Sequence, residues 1–569
     1  MTILKRLSRK PLAAAGASAA LVLTMTAGTA SAANPPGANA RANTATVAAP
    51  INEASLGAVN PAQPLNISVA LNPRNQAGLD QTLAGEYTPG SPNFHKFLTP
   101  QQYDAQFAPD QGQVNQVTSW LTSQGLTNVK PSANNMQVSA TGTAGQIEQA
   151  FQTQLSNFAS SKGTVFANTK NATVPAALGG VVNGVLGLND VPATPTGLKA
   201  AGGTATALTP PQFKSAYDGA NLAPASGQNI GVVSEGKLTG VVSDLRAEET
   251  QNNLPQVPVN IVQENAASGS STDTSGTDEW DLDSQSSTGI AGAVSSLTFF
   301  NAASLSLGDL GAVINDWAGQ STVKQLSASL GLCEGLASAG GGTAAIDNSL
   351  KQAAAQGMTF FASSGDNGAA CPLPIISQNG IPLLGLTGGV EYPAASQWAV
   401  GVGGTTLSTN AGPTHGSETA WQPGGGGFAF SERQAPWVGP ASSNGLQGNL
   451  ENVFGAVGGG RPVPDIAMDA DPTSGAKIIY NGAPHTFGGT SLAAPLANGG
   501  WALIQQADGG NLGDAAPAFY RLYNGHPAGQ TPGFHDVTSG NNGLYFAGTG
   551  FDETTGIGTY DLAPLAGAL

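Results

Sequence analysis

The sequence predicts an α/β protein in which a doubly wound parallel sheet follows a smaller α+β domain. Short apolar runs that end in glycine-rich turns, such as residues 358–362, are typical of buried parallel strands. From about residue 209 onward these runs alternate with helical patterns, as a doubly wound sheet requires. Before it, residues 65–71 alternate like a half-buried strand and residues 114–126 have helical spacing, which indicates a separate α+β unit.

The N-terminal residues have the pattern of a secretion signal. A basic region is followed by an apolar run and by Ala30-Ser31-Ala32, so residues 1–32 are predicted to be a signal peptide cleaved after Ala32. Residues 33–60 are rich in Ala, Asn and Pro, and we expect them to be disordered. The domains then follow as the α+β unit at 61–190, an exposed linker at 191–208 and the sheet domain at 209–569.

The composition fits a secreted, extracellular protein. The chain has 36 acidic and 20 basic residues, a net charge of -16, and only 10% charged residues against 78 glycines. An acidic excess of this size argues against nucleic acid and anionic membranes as partners. The apolar run of the leader is too short for a membrane anchor, and no later stretch has transmembrane length.

The two cysteines, Cys333 and Cys371, each follow a predicted parallel strand. Neighbouring strands would bring them close together, and an exported protein can oxidise them, so we predict one disulfide. The spacing of cysteines and histidines does not suggest a zinc site.

A serine at a glycine turn is the main candidate for chemistry. Gly488-Gly489-Thr490-Ser491 precedes an alanine-rich apolar run that has the composition of a buried helix. A hydroxyl at such an elbow can reach a substrate, although Ser491 could instead only cap the helix. The octet from Gly488 to Pro495 resembles the nucleophile motif of subtilisin-like serine peptidases. None of the five histidines lies in a His-Gly-Thr helix start, and His485 is the one that could reach Ser491 from the preceding turn.

Carboxylates offer a second kind of partner for the serine. Glu279 and Asp283 are four residues apart, so on a helix they share a face. If buried, such a pair shares one proton and can act as a general base in acid. The alternative is a solvated acidic helix N-terminus, which the helix dipole favours. Asp366 follows a predicted strand in Ser363-Ser364-Gly365-Asp366, where it could stabilise an oxyanion or simply form a turn.

Taken in order, Glu-x-x-x-Asp, Ser-Ser-Gly-Asp-x-Gly and Gly-Gly-Thr-Ser-x-x-x-Pro resemble the motifs of the sedolisin (serine-carboxyl peptidase) family, kumamolisin-like members in particular. The resemblance implies a subtilisin-like fold and a secreted, acid-active serine-type endopeptidase that hydrolyses protein or peptide substrates through an acyl-enzyme. It implies that Ser491 is the nucleophile, Glu279 its base, Asp283 the acid that orients the base, and Asp366 the oxyanion-hole acid. Glu235 is a weaker match to an acid that extends this network in some members.

The substrate strand shows one departure from the family. Ser329, Leu330 and Gly331 match the strand that pairs with the substrate backbone, but Leu330 stands where the family has tryptophan. We expect the pH optimum or the specificity to differ in consequence, without loss of activity.

The end of the chain resembles the family's single structural calcium site. Calcium prefers six or more oxygens from carboxylates, carbonyls and water. By position the ligands would be the carboxylates of Asp536 and Asp552 and the carbonyls of Val537, Gly548 and Gly550. The alternative is a glycine-rich surface loop with two incidental acids.

Residues 61–190 resemble the activation domain of kumamolisin precursors, which implies a ferredoxin-like prodomain that inhibits its own enzyme until it is cut away in the linker. The family also implies a monomer. Two other functions stay open at this point: a subtilisin-type peptidase that uses a histidine base, and a non-catalytic, calcium-stabilised binding protein on a peptidase scaffold.

Overall fold

The computed structural model describes residues 40–51, 53–161, 163–195, 197–199, 206–264, 272–376, 382–384, 389–438 and 460–569. The predicted signal peptide, residues 1–32, lies outside the described residues.

An eight-stranded sheet forms the centre of the larger domain, and its strands are parallel except at one edge. The first strand in the chain, Asn229–Glu235, lies inside the sheet, with one later strand paired on each side. The direction of winding therefore reverses there, and such a reversal opens a crevice at the carboxyl ends of the strands. The predicted doubly wound fold is confirmed. The sheet order is Val259–Gln263, Ser296–Ala302, Asn229–Glu235, Gln325–Ala328, Thr359–Ser363 and Val400–Thr409, the last paired with both Ile466–Asp469 and the antiparallel His415–Ala420.

Two helices of this domain are buried on nearly all sides and pack against each other: Thr277–Ala291 and Thr490–Asp508. A Cβ at Gly499 would lie 2.2 Å from the carbonyl oxygen of Ser287, so glycine is what allows this close approach. Even the serines and the glutamine of the helix Thr277–Ala291 are buried. The other helices are Gln212–Ala216, Thr239–Gln251, Leu307–Ala318, Glu334–Ala339, Gly342–Ala355, Ala515–Asn524 and Leu562–Ala568.

Shorter strands surround the central sheet. They supply the loops and hairpins at the rim of the domain, including the hairpin that leads into the helix Thr490–Asp508. They are Leu330–Cys333, Pro372–Ile376, Pro382–Leu384, Glu391–Tyr392, Gly427–Arg433, Gly460–Val463, Ala476–Tyr480, Ala483–Gly488, Phe534–His535 and Thr559–Tyr560.

The smaller domain has its own antiparallel sheet and its own core. Its strand Pro64–Leu71 buries Leu65, Ile67, Val69 and Leu71, the alternating residues that the sequence singled out. The sheet order is Thr127–Pro131, Gln137–Thr143, Pro64–Leu71 and Val182–Leu186, with helices Gln111–Ser123 and Ala144–Phe151 against it. The remaining elements are strands Arg41–Asn43, Gly57–Ala58, Leu155–Ser160, Gly163–Asn168 and Thr173–Pro175, helices Gln76–Tyr87 and Pro100–Gln106, and the 3-10 turn Ala176–Leu178.

The expected disorder of residues 33–60 does not hold for the part that the structure describes. Arg41–Asn43 pairs with Thr173–Pro175, and Gly57–Ala58 pairs with Leu155–Ser160. The Thr46 hydroxyl donates to the carbonyl of Val185 at 2.9 Å and is fully buried. The composition of this segment did not indicate order, because the strands with which it pairs lie about a hundred residues or more away in the chain.

The smaller domain packs on two helices of the larger one, Leu307–Ala318 and Gly342–Ala355. The buried Asn134 amide donates to Asn315 and to Gln352, each at 3.0 Å. The Tyr87 hydroxyl donates to the carbonyl of Ala354 at 2.6 Å. Because buried polar groups are matched across this boundary, the two domains meet in a specific interface.

In the described part of the segment between the domains, residues 191–195 and 197–199, the backbone pairs with the larger domain at two places. Thr194–Pro195 forms an antiparallel pair with Leu330–Cys333, and Leu198–Lys199 forms one with Ala483–Gly488. Both partners are rim strands of the larger domain, so the segment lies across that rim. Backbone pairing of two-residue strands leaves no pattern in sequence, which is why it was missed.

The predicted disulfide is present. Cys333 and Cys371 are bonded, with their Cα atoms 5.5 Å apart. Within the described part of the chain, none of the helices has the length and apolar character needed to cross a membrane.

Candidate active site

Ser491 lies at a strained turn between the strand Ala483–Gly488 and the helix Thr490–Asp508. Gly489 has a φ of 97°, which a residue with a side chain rarely adopts. Ser491 is fully buried, at 0% exposure, in the presence of the interdomain segment.

A proline in the first turns of this helix changes what Ser491 can bind. Pro495 has no amide hydrogen, so the carbonyl of Ser491, four residues earlier, lacks its usual helical donor. The Ser329 hydroxyl lies 3.3 Å from that carbonyl, and the Ser491 hydroxyl lies 3.3 Å from the Ser329 carbonyl. The two serines therefore hold each other in place.

Glu279 and Asp283 stand behind Ser491, one turn apart on the buried helix Thr277–Ala291. Burial raises the pKa of Glu279, the charge of Asp283 raises it further, and a hydrogen bond from the Ser491 hydroxyl partly offsets both. Burial also raises the pKa of Asp283. Both carboxyl groups therefore hold a proton more readily than a free carboxylic acid does, and the two titrate as a pair.

Ser329 connects Asp283 to Ser491. Its hydroxyl lies 2.5 Å from Oδ1 of Asp283 as well as 3.3 Å from the Ser491 carbonyl. A hydroxyl has only one proton to donate. If Asp283 is protonated, it donates to Ser329, and Ser329 is free to donate to the Ser491 carbonyl. Protonation of Asp283 thus allows the hydrogen bond between Asp283 and Ser329 to coexist with the one from Ser329 to the Ser491 carbonyl.

Asp366 contacts the residue before the serine. Its Oδ1 accepts hydrogen bonds from the amide and the hydroxyl of Thr490, both at 2.8 Å. Its Oδ2 is buried and has no partner among the described residues. Burial raises the pKa of Asp366 to about 7, against the opposing hydrogen bonds from Thr490. In acid the group is therefore neutral and has a proton to donate next to Ser491.

A further acid, Glu391, was not found from the sequence. It is buried beside Asp366, and burial followed by the Asp366 charge raises its pKa to about 8. A Cβ at Gly331 would lie 2.0 Å from a Glu391 oxygen, so the carboxyl group lies directly against the strand that includes Leu330. Its only sequence signal was an acid between apolar residues in Val390-Glu391-Tyr392.

Glu235 ends the central strand Asn229–Glu235 and is partly buried. Its proposed part in an extended acid network stays a prediction.

The histidines lie elsewhere. His485 packs against the rings of Tyr480 and Phe487. His415 and His535 stack with their ring centroids 3.7 Å apart, and His535 lies 3.0 Å from Asp218. The sequence showed no such grouping because these residues come from distant parts of the chain. Glu279, by contrast, lies close enough to the Ser491 hydroxyl for that hydroxyl to lower its pKa.

Comparison with known proteins agrees with this arrangement. Residues 52–191 match the model of the pro-kumamolisin activation domain, and residues 266–518 match that of the subtilase family. Sedolisin of Pseudomonas sp. (strain 101) is 35% identical over 547 residues, which cover 91% of this chain and 88% of that protein. This chain belongs to the sedolisin family. It is a serine-type peptidase made with an activation domain.

Other sedolisins extend the comparison. Xanthomonalisin of Xanthomonas sp. (strain T-22) is 36% identical over 572 residues, covering 90% of this chain and 66% of that protein. A solved structure of Pseudomonas sedolisin with two molecules of pseudo-iodotyrostatin has 35% identity and a TM-score of 0.56, and it covers 64% of this chain and 98% of the other. The subtilisin-like fold expected from the sequence is thereby confirmed.

The candidate calcium loop brings its two acids, Asp536 and Asp552, close enough for the charge of one to raise the pKa of the other. The amide of Gly550 donates to both oxygens of Asp536, at 3.0 and 3.2 Å, and the amide of Gly548 donates to Asp552 at 3.0 Å. Burial, with a smaller effect of the Asp552 charge, raises the pKa of Asp536 to about 6. Two partly desolvated carboxylates that repel each other fit a hard cation, since an ion would offset both costs.

Proposed function

We propose that the protein is an acid-active endopeptidase in which Ser491 is the nucleophile and Glu279 the general base. The observation that carries the proposal is a Glu279 carboxyl group that is buried with Asp283 and lies close enough to the Ser491 hydroxyl for that hydroxyl to lower its pKa. A histidine base would be protonated in acid, whereas a coupled carboxyl pair still offers one group that accepts a proton.

The reaction follows from these positions. Glu279 accepts the proton of Ser491 as the oxygen attacks a peptide carbonyl, and Asp283 keeps the proton that the pair shares. The oxyanion forms beside Asp366, which donates a hydrogen bond from its protonated carboxyl group. Glu279 then passes its proton to the leaving amine, and water hydrolyses the acyl-enzyme by the reverse sequence.

The pKa of Asp366 sets the upper limit of activity. Asp366 can donate only while it is protonated, and its pKa is raised to about 7. We therefore expect the rate to fall as the pH rises through about 7. We also expect Leu330, which stands where the family has tryptophan, to change the pH optimum or the substrate specificity without loss of activity.

The proposal is tested by casein digestion from about pH 2 to about pH 9 with wild type and Ser491→Ala. We expect activity in acid only and its loss in Ser491→Ala. Ser417→Ala, an exposed serine on the strand His415–Ala420, is the control that should stay active. Activity that peaks near neutral pH and is lost in His485→Ala would favour a histidine base. A folded, processed chain with no activity at any pH would favour a binding protein.

We also propose one structural calcium ion in the loop of Asp536 and Asp552, with the carbonyls of Val537, Gly548 and Gly550 as further ligands. Bound calcium would stabilise the folded state by mass action, by about 2.7 kcal/mol when its free concentration is 100 times Kd.

Removal of calcium should therefore lower the melting temperature of Ser491→Ala protein, which cannot digest itself. Calcium, but not magnesium, should restore it, because Mg²⁺ needs a smaller and more regular site. The variant Asp552→Asn should lose the response to EDTA, and Asp508→Asn, at an exposed position, should keep it. An unchanged melting temperature after chelation would contradict the calcium site.

We propose that the protein is secreted after removal of residues 1–32. The basic and apolar leader supports this, and so does the disulfide, because such bonds persist in oxidising compartments. An N-terminal sequence of the exported precursor that begins at Ala33 would agree with it.

A further inference from the structure

Two histidines and an aspartate from three distant segments meet on the larger domain. Asp218 follows the first helix of that domain, His415 begins its antiparallel edge strand, and His535 lies near the end of the chain. Each of the three offers a possible ligand atom, and these atoms all lie within 4.8 Å of one another. Because 317 residues separate Asp218 from His535, the grouping is made by the fold alone.

The separations and the exposure suit one small cation. Oδ2 of Asp218 and Nε2 of His535 are 3.0 Å apart. Two ligands of one tetrahedral zinc ion, each bonded at about 2.0–2.1 Å, stand about 3.3 Å apart. The side chains of Asp218, His535 and His415 are 39%, 24% and 15% exposed, so an ion can enter from solvent and water can fill a fourth position.

A buried carboxylate holds His415 from behind. The side chain of Glu418 is 2% exposed, and its Oε2 lies 3.2 Å from Nε2 of His415. This carboxylate is itself fixed by the hydroxyls of Tyr217, Thr405 and Thr559. Metal-binding histidines usually donate their second ring nitrogen to such a carboxylate, which fixes the tautomer and the direction of the ring. With Nε2 so engaged, Nδ1 of His415 is the nitrogen that can bind an ion.

The charge around the cluster and its donor types indicate which ion it suits. The carboxylates of Glu418, Asp218 and Asp561 all lie close enough for their charges to act on His415. A divalent cation would offset the repulsion among these acids. Two imidazole nitrogens with one carboxylate oxygen suit zinc and similar transition-metal ions, whereas calcium and magnesium prefer oxygen ligands alone.

We propose that Asp218, His415 and His535 bind one divalent transition-metal ion of the zinc class, with water as the fourth ligand. The rings of His415 and His535 stack with their centroids 3.7 Å apart and their planes 6° from parallel. An ion bonds to a ring nitrogen in the plane of that ring, so the rings turn out of the stack as it binds. The bound ion ties the start of the peptidase domain to its edge strand and to its last strands.

The test uses full-length Ser491→Ala precursor at about pH 7.5, where imidazole is neutral. Calcium is kept saturating throughout, so that the loop of Asp536 and Asp552 does not respond. Phenanthroline, a chelator with nitrogen donors, first removes bound transition metals and leaves calcium in solution. Calorimetric titration with zinc chloride should then give one ion per chain, and the melting temperature should rise with the zinc concentration. Magnesium chloride should produce neither effect.

Three variants show whether zinc binds at this place. Asp218→Asn removes a ligand charge, and asparagine tolerates the left-handed φ of 57° at this position. His415→Gln removes an imidazole. Each should weaken zinc binding by about 100-fold or more, beyond the effect of about 10–100-fold that loss of an orienting group has. His526→Gln, at an exposed histidine whose ring bonds to the Leu522 carbonyl, should bind zinc like the parent protein.

The outcomes do not depend on the proposed catalysis, because the test protein lacks Ser491. If zinc does not bind, or binds without a fixed stoichiometry, the cluster is an ion pair only and the inference is overturned. If Asp218→Asn and His415→Gln bind zinc like the parent protein, the ion lies elsewhere and the inference is again overturned. Melting curves without zinc show whether each variant folds, and a variant that does not fold leaves the other to decide.

Discussion

Replacing Glu279 with glutamine should lower kcat on a peptide substrate by about 10³-fold in acid, within the range that a general base contributes. Glutamine keeps the size of the side chain and can still accept a hydrogen bond from Ser491, but it cannot accept the serine proton. The loss should appear in kcat more than in KM, because the proton is transferred only in the transition state.

The neighbouring acid supplies the control for this prediction. Asp278 lies on the same helix, and its Oδ1 accepts the amide hydrogen of Glu279 at 3.2 Å, a hydrogen bond that asparagine can also make. Asp278→Asn should therefore keep kcat within about twofold of wild type, as expected for a change outside the reacting groups. Stopped assays on enzyme matured before the measurement would show both effects. Near-normal kcat in Glu279→Gln would exclude Glu279 as the base and reopen the choice among the remaining groups.

The four residues proposed for catalysis could be selected from the sequence because each lies in a local motif. Ser491 follows two glycines, Asp366 follows a strand and a glycine turn, and Glu279 and Asp283 share one helical turn. Each motif encodes its own backbone geometry, so the side chains were predictable before the sheet that unites them was seen.

Features that depend on distant contacts were not predictable in this way. Glu391 becomes part of the site only because its strand brings it against Gly331 and Asp366. The pairing of residues 194–195 and 198–199 with two rim strands is likewise visible only in the structure. Both depend on tertiary pairing over long separations, for which a single sequence carries no periodic signal.

Raising the pH from about 4 to about 8 should progressively destabilise the folded protein. Several carboxyl groups are buried, and burial is the first cause of a raised pKa in each. A raised folded-state pKa means that the native state holds protons which the unfolded state has released. The stability that these protons provide is complete below the unfolded pKa of about 4 and is lost as pH rises through the folded values. The pKa is raised to about 9 for Glu86 and Asp281, to about 8 for Glu391 and Asp514, and to about 7 for Glu248.

The decrease of folding stability with rising pH can be measured and assigned to individual carboxyl groups. For each group that keeps its proton in the folded state, the free energy of unfolding falls by about 1.4 kcal/mol for every unit that the pH rises between its unfolded-state and folded-state pKa values. Calorimetry of Ser491→Ala precursor at constant calcium and ionic strength should show the melting temperature falling from pH about 4 to about 8. A melting temperature that is flat or rises over this range would contradict the prediction.

Two helix-capping aspartates, one buried and one exposed, allow the contribution of a single buried carboxyl group to be measured. Asp514 caps the helix Ala515–Asn524 and is buried, while Asp110 caps Gln111–Ser123 and is exposed. Asparagine preserves a cap but does not titrate. Asp514→Asn should therefore flatten the pH dependence by the contribution of one proton, and Asp110→Asn should leave the slope unchanged. If both variants have the wild-type slope, the burial of Asp514 is not what links its proton to folding, and the acid preference of the fold must come from other groups.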